Sequence, residues 1–274
     1  MLSYCTPNGS LSMEANGTDG GIQGKEQFAR NFGLLYICIG FITIPISCFV
    51  LSVFCRPPLI KHSCYKLMSF NTVLDIINLS NAALIPGFLS VQNIHHCNSG
   101  MWVTYVMQEV CFSWHLYCCA SEVLALNRML EFANKNLAIF LFEGKRVYLW
   151  GYGGYATTTR LSGEPNIVHI VNNFFKFGFL TVTYVLMLFF MHLRLRRIKM
   201  ASTSSLQIKV SIQALAIAGL ADAATMGYVI ITNVTFSPEV SQYIGVAAEL
   251  IWIALHGGSI VIYSKFHCFI NVSS

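Results

Sequence analysis

The sequence predicts an all-α membrane protein, a bundle of helices that cross a bilayer. Of its 274 residues, 55% are hydrophobic and 11% are charged, whereas a soluble domain usually carries about 25% charged residues. Six apolar stretches approach or exceed the ~20 residues that a helix needs to cross the hydrocarbon core. The net charge of +5 does not indicate a nucleic-acid partner, because the basic residues lie between the apolar stretches.

The N-terminal segment precedes the first apolar stretch and is rich in Gly, Ser and Asn, so we expect little regular structure in it. Asn8 and Asn16 each begin an Asn-X-Ser/Thr sequence, which can be glycosylated if this end is outside the cell. No basic segment followed by an apolar core is present here, so the first span is expected to act as the targeting signal. We expect an extracellular segment over 1–31, a transmembrane bundle over 32–264 and a cytoplasmic tail over 265–274.

The first two spans are expected at about Phe32–Phe54 and Leu67–Leu89. The second carries Asn71, Asp75 and Asn78 at positions i, i+4 and i+7, which places the three side chains on one helix face. An intramembrane carboxylate with polar neighbours is expected to hold either an ion or a hydrogen-bond network between helices. Both roles remain open from the sequence.

The third span, Trp102–Arg128, is predicted to be the central helix of the bundle. Gln108, His115 and Glu122 recur at every seventh residue, and seven residues make nearly two whole turns, so the three share one stripe. Because a titratable group facing lipid is costly, this stripe is expected to face protein or a water-filled cavity. Hydrogen bonding to neighbouring helices and contact with a ligand are both compatible with it.

The remaining full-length spans are expected at about Ile167–His192, Val210–Val234 and Gln242–Tyr263. The first of these ends in a dense basic segment, RLRRIK. In the last, polar and aromatic residues again recur at every seventh position and share one face. They are Gln242, Glu249, His256 and Tyr263.

The region between the third span and Ile167 has no full-length span. Its apolar piece Val147–Tyr155 would extend only about 14 Å as a helix. With the N-terminus outside and a crossing supplied here, 13 of the 17 Lys and Arg face the cytoplasm and three face outside; without it the tally is 8 to 8. The cytoplasmic excess of basic residues favours seven crossings. Either Val147–Tyr155 is re-entrant, with 147–166 irregular, or a fourth helix is missing.

Several short motifs occur in order between residues 34 and 266, and their combination resembles the nematode serpentine chemoreceptors of class T (Srt), within the seven-helix G-protein-coupled receptors. In that family the position of Trp150 opens helix 4 and a further outer loop follows, whereas here the chain runs almost directly into the next motif. The resemblance therefore implies a seven-transmembrane receptor-like helix bundle with six full-length spans and a truncated helix 4 region. The motifs are KHSCYKLM (61–68) with Asp75, Leu126-Asn127-Arg128, LFEGKR (141–146) with Trp150, His169 with Asn172-Asn173, and His256-Gly257 with Tyr263.

The resemblance implies a chemosensory receptor that binds a small molecule and activates a heterotrimeric G protein. It implies a multi-pass protein of the plasma membrane, such as that of a sensory cilium, with no cofactor and no enzymatic activity. Arg128 matches the Arg that couples such receptors to their G protein, and Arg194, Arg196 and Arg197 form the neighbouring basic loop. The alternative role of Arg128 is an anchor whose cation reaches the headgroups. A chain without helix 4 could also be a non-functional splice form.

A ligand cavity is expected toward the outer half of the bundle, where charged residues pair with one another or meet a polar ligand. The candidate lining residues are Glu109, Trp114, His115, Lys176, Tyr228, Glu249 and Trp252.

A disulfide is a further expectation from the resemblance. Related receptors often tie the top of helix 3 to the loop after helix 4, but residues 151–166 contain no cysteine. Cys97 lies in an outer loop and Cys5 is the remaining extracellular candidate, in an oxidising environment that permits the bond. A Cys5–Cys97 bond and two free thiols both remain open, because spacing does not fix connectivity.

A transporter or ion channel is the alternative function. Its ion path could use the intramembrane charges at positions 75, 109, 122, 176, 222 and 249, but the two halves of the sequence show no repeat. A membrane enzyme is disfavoured because no HExxH or GxSxG motif occurs. No metal site is expected, since no cysteine pair has zinc-ligand spacing.

Overall fold

The computed structural model describes residues 4–5, 11–12, 19–57, 59–94, 101–142, 167–197, 205–234 and 237–271. Within them a two-residue antiparallel hairpin pairs Tyr4–Cys5 (β1) with Leu11–Ser12 (β2). A 3-10 turn, Leu59–Lys61, precedes α2, and a π-helical turn, Ser80–Leu84, joins α2 to α3. The helices are α1 (Asp19–Phe54), α2 (Ser63–Leu79), α3 (Ile85–Val91), α4 (Met101–Ala133), α5 (Lys135–Phe142), α6 (Ile167–Arg197), α7 (Ser205–Asn233) and α8 (Pro238–Asn271). The predicted all-α membrane class is confirmed.

Three helical segments of the described chain are long and apolar enough to cross a membrane by length and composition alone: Glu26–Phe54, Ser63–Val91 and Val171–Arg194. Each coincides with a predicted span. The helix α4 has 33 residues, about 50 Å at 1.5 Å per residue, and is long enough to cross as well. Its polar residues, among them the buried His115, make it less apolar than those three segments.

The helix α1 begins well before the first predicted span, at Asp19 rather than at Phe32, so the expectation of little regular structure up to residue 31 was wrong for 19–31. Contacts with other helices explain this extension. The ring of Phe28 packs edge-on against Tyr243 of α8 at 5.2 Å between centroids. Asn93, just after α3, donates a hydrogen bond from Nδ2 to Glu26 Oε1 at 3.2 Å. Tertiary contacts of this kind stabilise a helix in a segment whose composition alone predicts a loop.

Glycines allow α1 and α3 to approach each other closely. A Cβ added to Gly33 would lie 2.8 Å from the carbonyl oxygen of Gly87, and one added to Gly87 would lie 2.8 Å from the oxygen of Gly33. Since the neighbouring atom is backbone in both cases, no side-chain movement could relieve the overlap. Helices in lipid are not driven together by the hydrophobic effect, because the lipid tails are as apolar as the side chains. Small residues at a crossing let the two backbones come close, and the resulting van der Waals contacts stabilise the pair.

The helix α4 occupies the centre of the bundle, in contact with α2, α5, α6 and α7, and it runs parallel to α6. In the first half of both helices, Trp114 Nε1 lies 3.0 Å from Asn173 Oδ1. Near their ends, Arg194 Nη1 lies 3.0 Å from the carbonyl oxygen of Glu131. Earlier residues of α4 contact earlier residues of α6, and later residues contact later ones, so the two helices run in the same direction.

The parallel arrangement places the end of α5 and the start of α6 at opposite ends of the bundle, as seven crossings require and six do not. The residues that connect them, 143–166, lie outside the described residues, and so does the predicted re-entrant piece Val147–Tyr155. We call the end of the bundle that carries Phe54, Ser63 and Arg128 the basic end. The basic residues at this end whose side chains the structure describes include Arg56, Lys61, Lys66, Arg128, Lys135, Arg194 and Arg196.

The short helix α5 packs against the basic end of the bundle. Its Ala138 and Phe142 are buried in one hydrophobic cluster with Phe54 of α1 and Tyr65 of α2. A second hydrophobic cluster forms where α4 packs directly on α6. In it, Leu180, Tyr184 and Met187 of α6 contact side chains of α4 and α7. These two clusters, built from side chains of the described helices, form a large part of the bundle core.

Candidate functional site

A cavity of about 170 Å³ lies between α4, α6, α7 and α8. It lies away from the basic end, at the level of the hydrogen bond between Trp114 of α4 and Asn173 of α6. Most of its wall is aliphatic or aromatic. Its lining residues are Val110, Cys111, Trp114, Asn173, Ala224, Thr225, Trp252 and Leu255.

Two tryptophans and two polar side chains give the cavity its chemistry. The rings of Trp114 and Trp252 meet edge to face, with centroids 6.1 Å apart. Trp114 donates its indole N–H to Asn173 Oδ1, and Thr225 donates its hydroxyl to the carbonyl oxygen of Ala221 at 2.8 Å. The Thr225 oxygen can therefore still accept a hydrogen bond, while the rest of the wall favours an apolar ligand.

A chain of hydrogen bonds leads from the cavity wall to the middle of the bundle. Trp252 Nε1 donates to His256 Nε2 at 2.8 Å, and indole is a donor only, so this imidazole nitrogen must be the acceptor. The proton of a neutral His256 then lies on Nδ1, which donates to Asp75 Oδ1 at 2.7 Å. The Ser259 hydroxyl lies 2.9 Å from Asp75 Oδ2 and 2.8 Å from the carbonyl oxygen of His256, and donates to one of them at a time.

The polar residues predicted on α2 occupy different places around this chain. Asn78 is fully buried, and its Nδ2 donates to the carbonyl oxygens of Leu74 at 2.9 Å and Ser113 at 3.3 Å, which links α2 to α4. Asn71 is buried too, but its Oδ1 accepts no hydrogen bond within the described part of the chain. Of the predicted network of Asn71, Asp75, Asn78 and His256, the structure brings Asp75 and His256 into direct contact.

Lys176 is fully buried on α6, one turn after Asn173. Its Nζ lies 4.2 Å from the ring centroid of Trp114 and 4.7 Å from that of Tyr117, which is the geometry of a cation–π contact. Among the described residues, no oxygen lies within hydrogen-bond distance of Nζ. Trp114 also lines the cavity, whereas Lys176 does not.

The other predicted ligand residues lie outside the cavity wall. Glu109 Oε1 accepts from Ser113 at 2.6 Å and from Asn81 at 3.4 Å. His115 is buried, with Nδ1 2.6 Å from the carbonyl oxygen of Cys111. Glu249 is half-buried and its Oε1 has no partner within the described residues. The side chain of Tyr228 lies outside the described residues, so of the seven predicted ligand residues the cavity wall contains Trp114 and Trp252.

At the basic end, Arg128 is buried rather than extended toward the headgroups, with 4% of its surface exposed. Its Nη2 donates to Asn127 Oδ1 at 2.6 Å and lies 3.9 Å from Glu131 Oε1. Asn127 in turn donates to the Ser63 hydroxyl of α2 at 3.4 Å. Arg194 binds the Glu131 carbonyl, so one cluster joins α2, α4 and α6. Arg196 is exposed, and the Arg197 side chain lies outside the described residues.

Among the residues of these clusters to which the sequence analysis gave no site role are Asn173, Glu131 and Ser259. Spacing on the helix was the available signal, because residues three apart lie on one face. Asn173 precedes Lys176 by three, Glu131 follows Arg128 by three, and Ser259 follows His256 by three.

Two predicted modifications remain predictions. The glycosylation candidates Asn8 and Asn16 lie outside the described residues, as does Cys97 of the predicted disulfide. Its partner Cys5 lies in β1. In the part of the chain that the structure describes, no group of three or more His, Cys, Asp or Glu side chains could hold a metal ion.

The sequence model of the serpentine type 7TM GPCR chemoreceptor Srt family matches the chain over residues 21–157 and 156–272. The chain belongs to the Srt family. Its two matched segments meet in the region where the sequence lacks a full fourth span, as expected of a serpentine receptor truncated at this point. No curated protein matches the chain. Membership makes this Srt protein a seven-helix-type chemosensory receptor of a membrane, in a family of receptors rather than of enzymes.

Proposed function

We propose that this Srt receptor binds a small organic molecule in the cavity between α4, α6, α7 and α8 and activates a heterotrimeric G protein at the basic end. The observation that carries the proposal is the position of Trp252, which lines the cavity and also donates to His256 of the buried chain. A ligand that displaces the Trp252 ring changes the hydrogen bond to His256, and so the contact between α8 and Asp75 of α2. A ligand shifts a receptor only by such differential contacts.

The cavity volume supports a ligand of about the size of one substituted ring or a short alkyl chain. An engineered apolar cavity of about 150 Å³ binds benzene, and the volume here is about 170 Å³. Within the described residues, the wall is formed by α4, α6, α7 and α8, so the proposed site does not depend on a full fourth helix. The transporter or channel alternative gains no support from a cavity lined mainly by apolar side chains.

At the basic end, the cluster around Arg128 supports a coupling role. Arg128, Arg194 and Arg196 lie at the same end of α4 and α6, because the two helices are parallel. Arg128 is buried between helices, so contact with a G protein requires a second arrangement in which its guanidinium is released. The pairing with Asn127 and Glu131 holds it in the described arrangement.

Filling the cavity tests the ligand site. Ala224 lines the cavity and is buried, whereas its neighbour Ala223 is exposed on the same helix. We expect Ala224→Leu to occupy part of the cavity and raise the concentration for half-maximal response at least about tenfold, since overlap of even about 1.4 kcal/mol gives that factor. Dose–response curves at matched surface level measure it.

The matched control is Ala223→Leu, which adds the same volume outside the cavity and is expected to leave the curve unchanged. Equal curves for Ala224→Leu and the unmodified receptor, with an agonist that activates both, would place the ligand elsewhere.

We propose that the basic end faces the cytoplasm of a cell with this receptor in its plasma membrane, such as a sensory cilium. Excess Lys and Arg at one end of a multi-pass protein sets its orientation, and α8 ends at this end. An epitope appended after Ser274 is therefore expected to bind antibody only in permeabilised cells. A second epitope before Met1 is the control and is expected to stain intact cells. Full staining of the C-terminal epitope in intact cells would contradict both the orientation and the coupling role.

A further inference from the structure

Lys176 is a buried lysine that forms no close ion pair with the described residues. No atom of the side chain is exposed, and within the described residues no oxygen lies within hydrogen-bond distance of its Nζ and no carboxylate within ion-pair distance. The Cys118 thiol is its polar neighbour, and the carboxyl groups of Asp75, Glu122 and Asp222 interact with it only from farther away. An ammonium group has three N–H donors, and burying a charge without a partner is strongly unfavourable. Ionisable residues inside membrane bundles mark ligand or ion sites for this reason.

The aromatic contacts of Lys176 compensate only part of this cost. Nζ lies over the rings of Trp114 and Tyr117, at 4.2 and 4.7 Å from their centroids. A ring face attracts the positive charge through its quadrupole but accepts none of the N–H groups in the way an oxygen does. The ring contacts and the Cys118 thiol therefore leave this ammonium group able to bind an oxygen that enters from the neighbouring cavity.

The cavity adjoins the residues that hold the ammonium group. Trp114 forms both the face under Nζ and a part of the cavity wall, and Asn173, three residues before Lys176 on α6, also lines the cavity. Residues three apart project from one helix face. The four-carbon stem of a lysine lets its ammonium group move by several ångströms through rotamer changes, so a ligand in the cavity can draw it toward the wall.

We propose that Lys176 binds an acidic group of the ligand, so that the receptor recognises small organic carboxylates whose apolar part lies between Trp114 and Trp252. This inference rests on the proposed function and names the ligand class of the same cavity. The carboxylate supplies the missing counterion and accepts N–H bonds from Lys176. The cavity of about 170 Å³ limits the apolar part to about one ring or a short chain.

The test compares acids with their neutral isosteres on the purified full-length receptor in lipid nanodiscs. The probes are benzoate and hexanoate against benzamide and hexanamide, and calorimetry measures their affinities. We expect the unmodified receptor to bind one of the acids at least about tenfold more tightly than its amide, because charge-assisted bonds are about twice as strong as neutral ones. In Lys176→Met, which keeps the length of the side chain without its charge, the ratio is expected to fall to about one.

A second measurement separates this role from a purely structural one. Replacing an unpaired buried charge by an apolar side chain is expected to raise the melting temperature of the empty receptor, so Lys176→Met should be more stable without ligand and lose the preference for acids. A lower melting temperature together with an unchanged acid-to-amide ratio overturns the proposal.

The same measurements show separately whether Lys176 binds the acidic group and whether the cavity binds the ligand. If acid and amide bind equally well and Ala224→Leu weakens both, the cavity is the ligand site and the role of Lys176 is wrong. If neither acid nor amide binds, both the role of Lys176 and the cavity as a site for ring-sized ligands are wrong.

Discussion

Replacing His256 by leucine is expected to destabilise the receptor by about 3 kcal/mol, because it leaves two buried hydrogen-bonding groups without a partner. The substitution leaves Asp75 without the Nδ1–H donor 2.7 Å from its Oδ1, and Trp252 without the acceptor of its indole N–H. Asp75 has 1% and His256 0% of its surface exposed, so water cannot replace the lost bonds. For a domain of this size, the change corresponds to a fall in melting temperature of about 10 °C.

Thermal unfolding in detergent, followed by tryptophan fluorescence, measures this loss, and the fraction of receptor at the cell surface should fall with it. His192→Leu is the matched control, because His192 is exposed on α6 and its replacement is expected to change stability by at most about 0.5 kcal/mol. Asp75→Asn keeps an acceptor for His256 Nδ1–H and is expected to cost about 1 kcal/mol. A melting temperature of His256→Leu equal to that of the control would show that the buried chain contributes little to stability.

The second large effect is expected at the basic end. Arg128→Gln should lower agonist-stimulated nucleotide exchange on the G protein at least about 30-fold, since truncating one partner of a hydrogen-bonded charge contact costs 2 kcal/mol or more. This expectation depends on the proposed coupling role. Nucleotide exchange measured in membranes, normalised to surface receptor, gives the result.

Two further variants show whether the effect belongs to Arg128 itself. Glu131→Gln keeps the shape of the side chain but removes the charge 3.9 Å from Arg128 Nη2, and is expected to raise basal activity by weakening the described arrangement. Lys61→Gln removes an exposed cation at the same end and is expected to change exchange by less than about threefold. Normal exchange by Arg128→Gln at a normal surface level would leave only a structural role for this residue.

The class of the protein and most of its helices follow from the sequence, because hydropathy and helical periodicity are local properties of a chain. The apolar stretches give the spans, and the spacing of Asn71, Asp75 and Asn78 gives one polar face on α2. The bias of basic residues predicts an odd number of crossings, and the parallel packing of α4 and α6 agrees with it. The helical extension of α1 to Asp19 was not predictable in this way, because contacts with α8 and the end of α3 stabilise it.

The pairing of polar groups was decided by the tertiary structure alone. Asp75 and His256 are 181 residues apart in the chain, and their contact depends on the depth and rotation of α2 and α8, which side-chain packing sets. The same applies to Lys176: the sequence places it within a span, but the crossing of α4 and α6 decides that it lies over Trp114 and beside the cavity rather than in its wall. Periodicity determines which face of a helix is polar, and only the packing of neighbouring helices determines what that face meets.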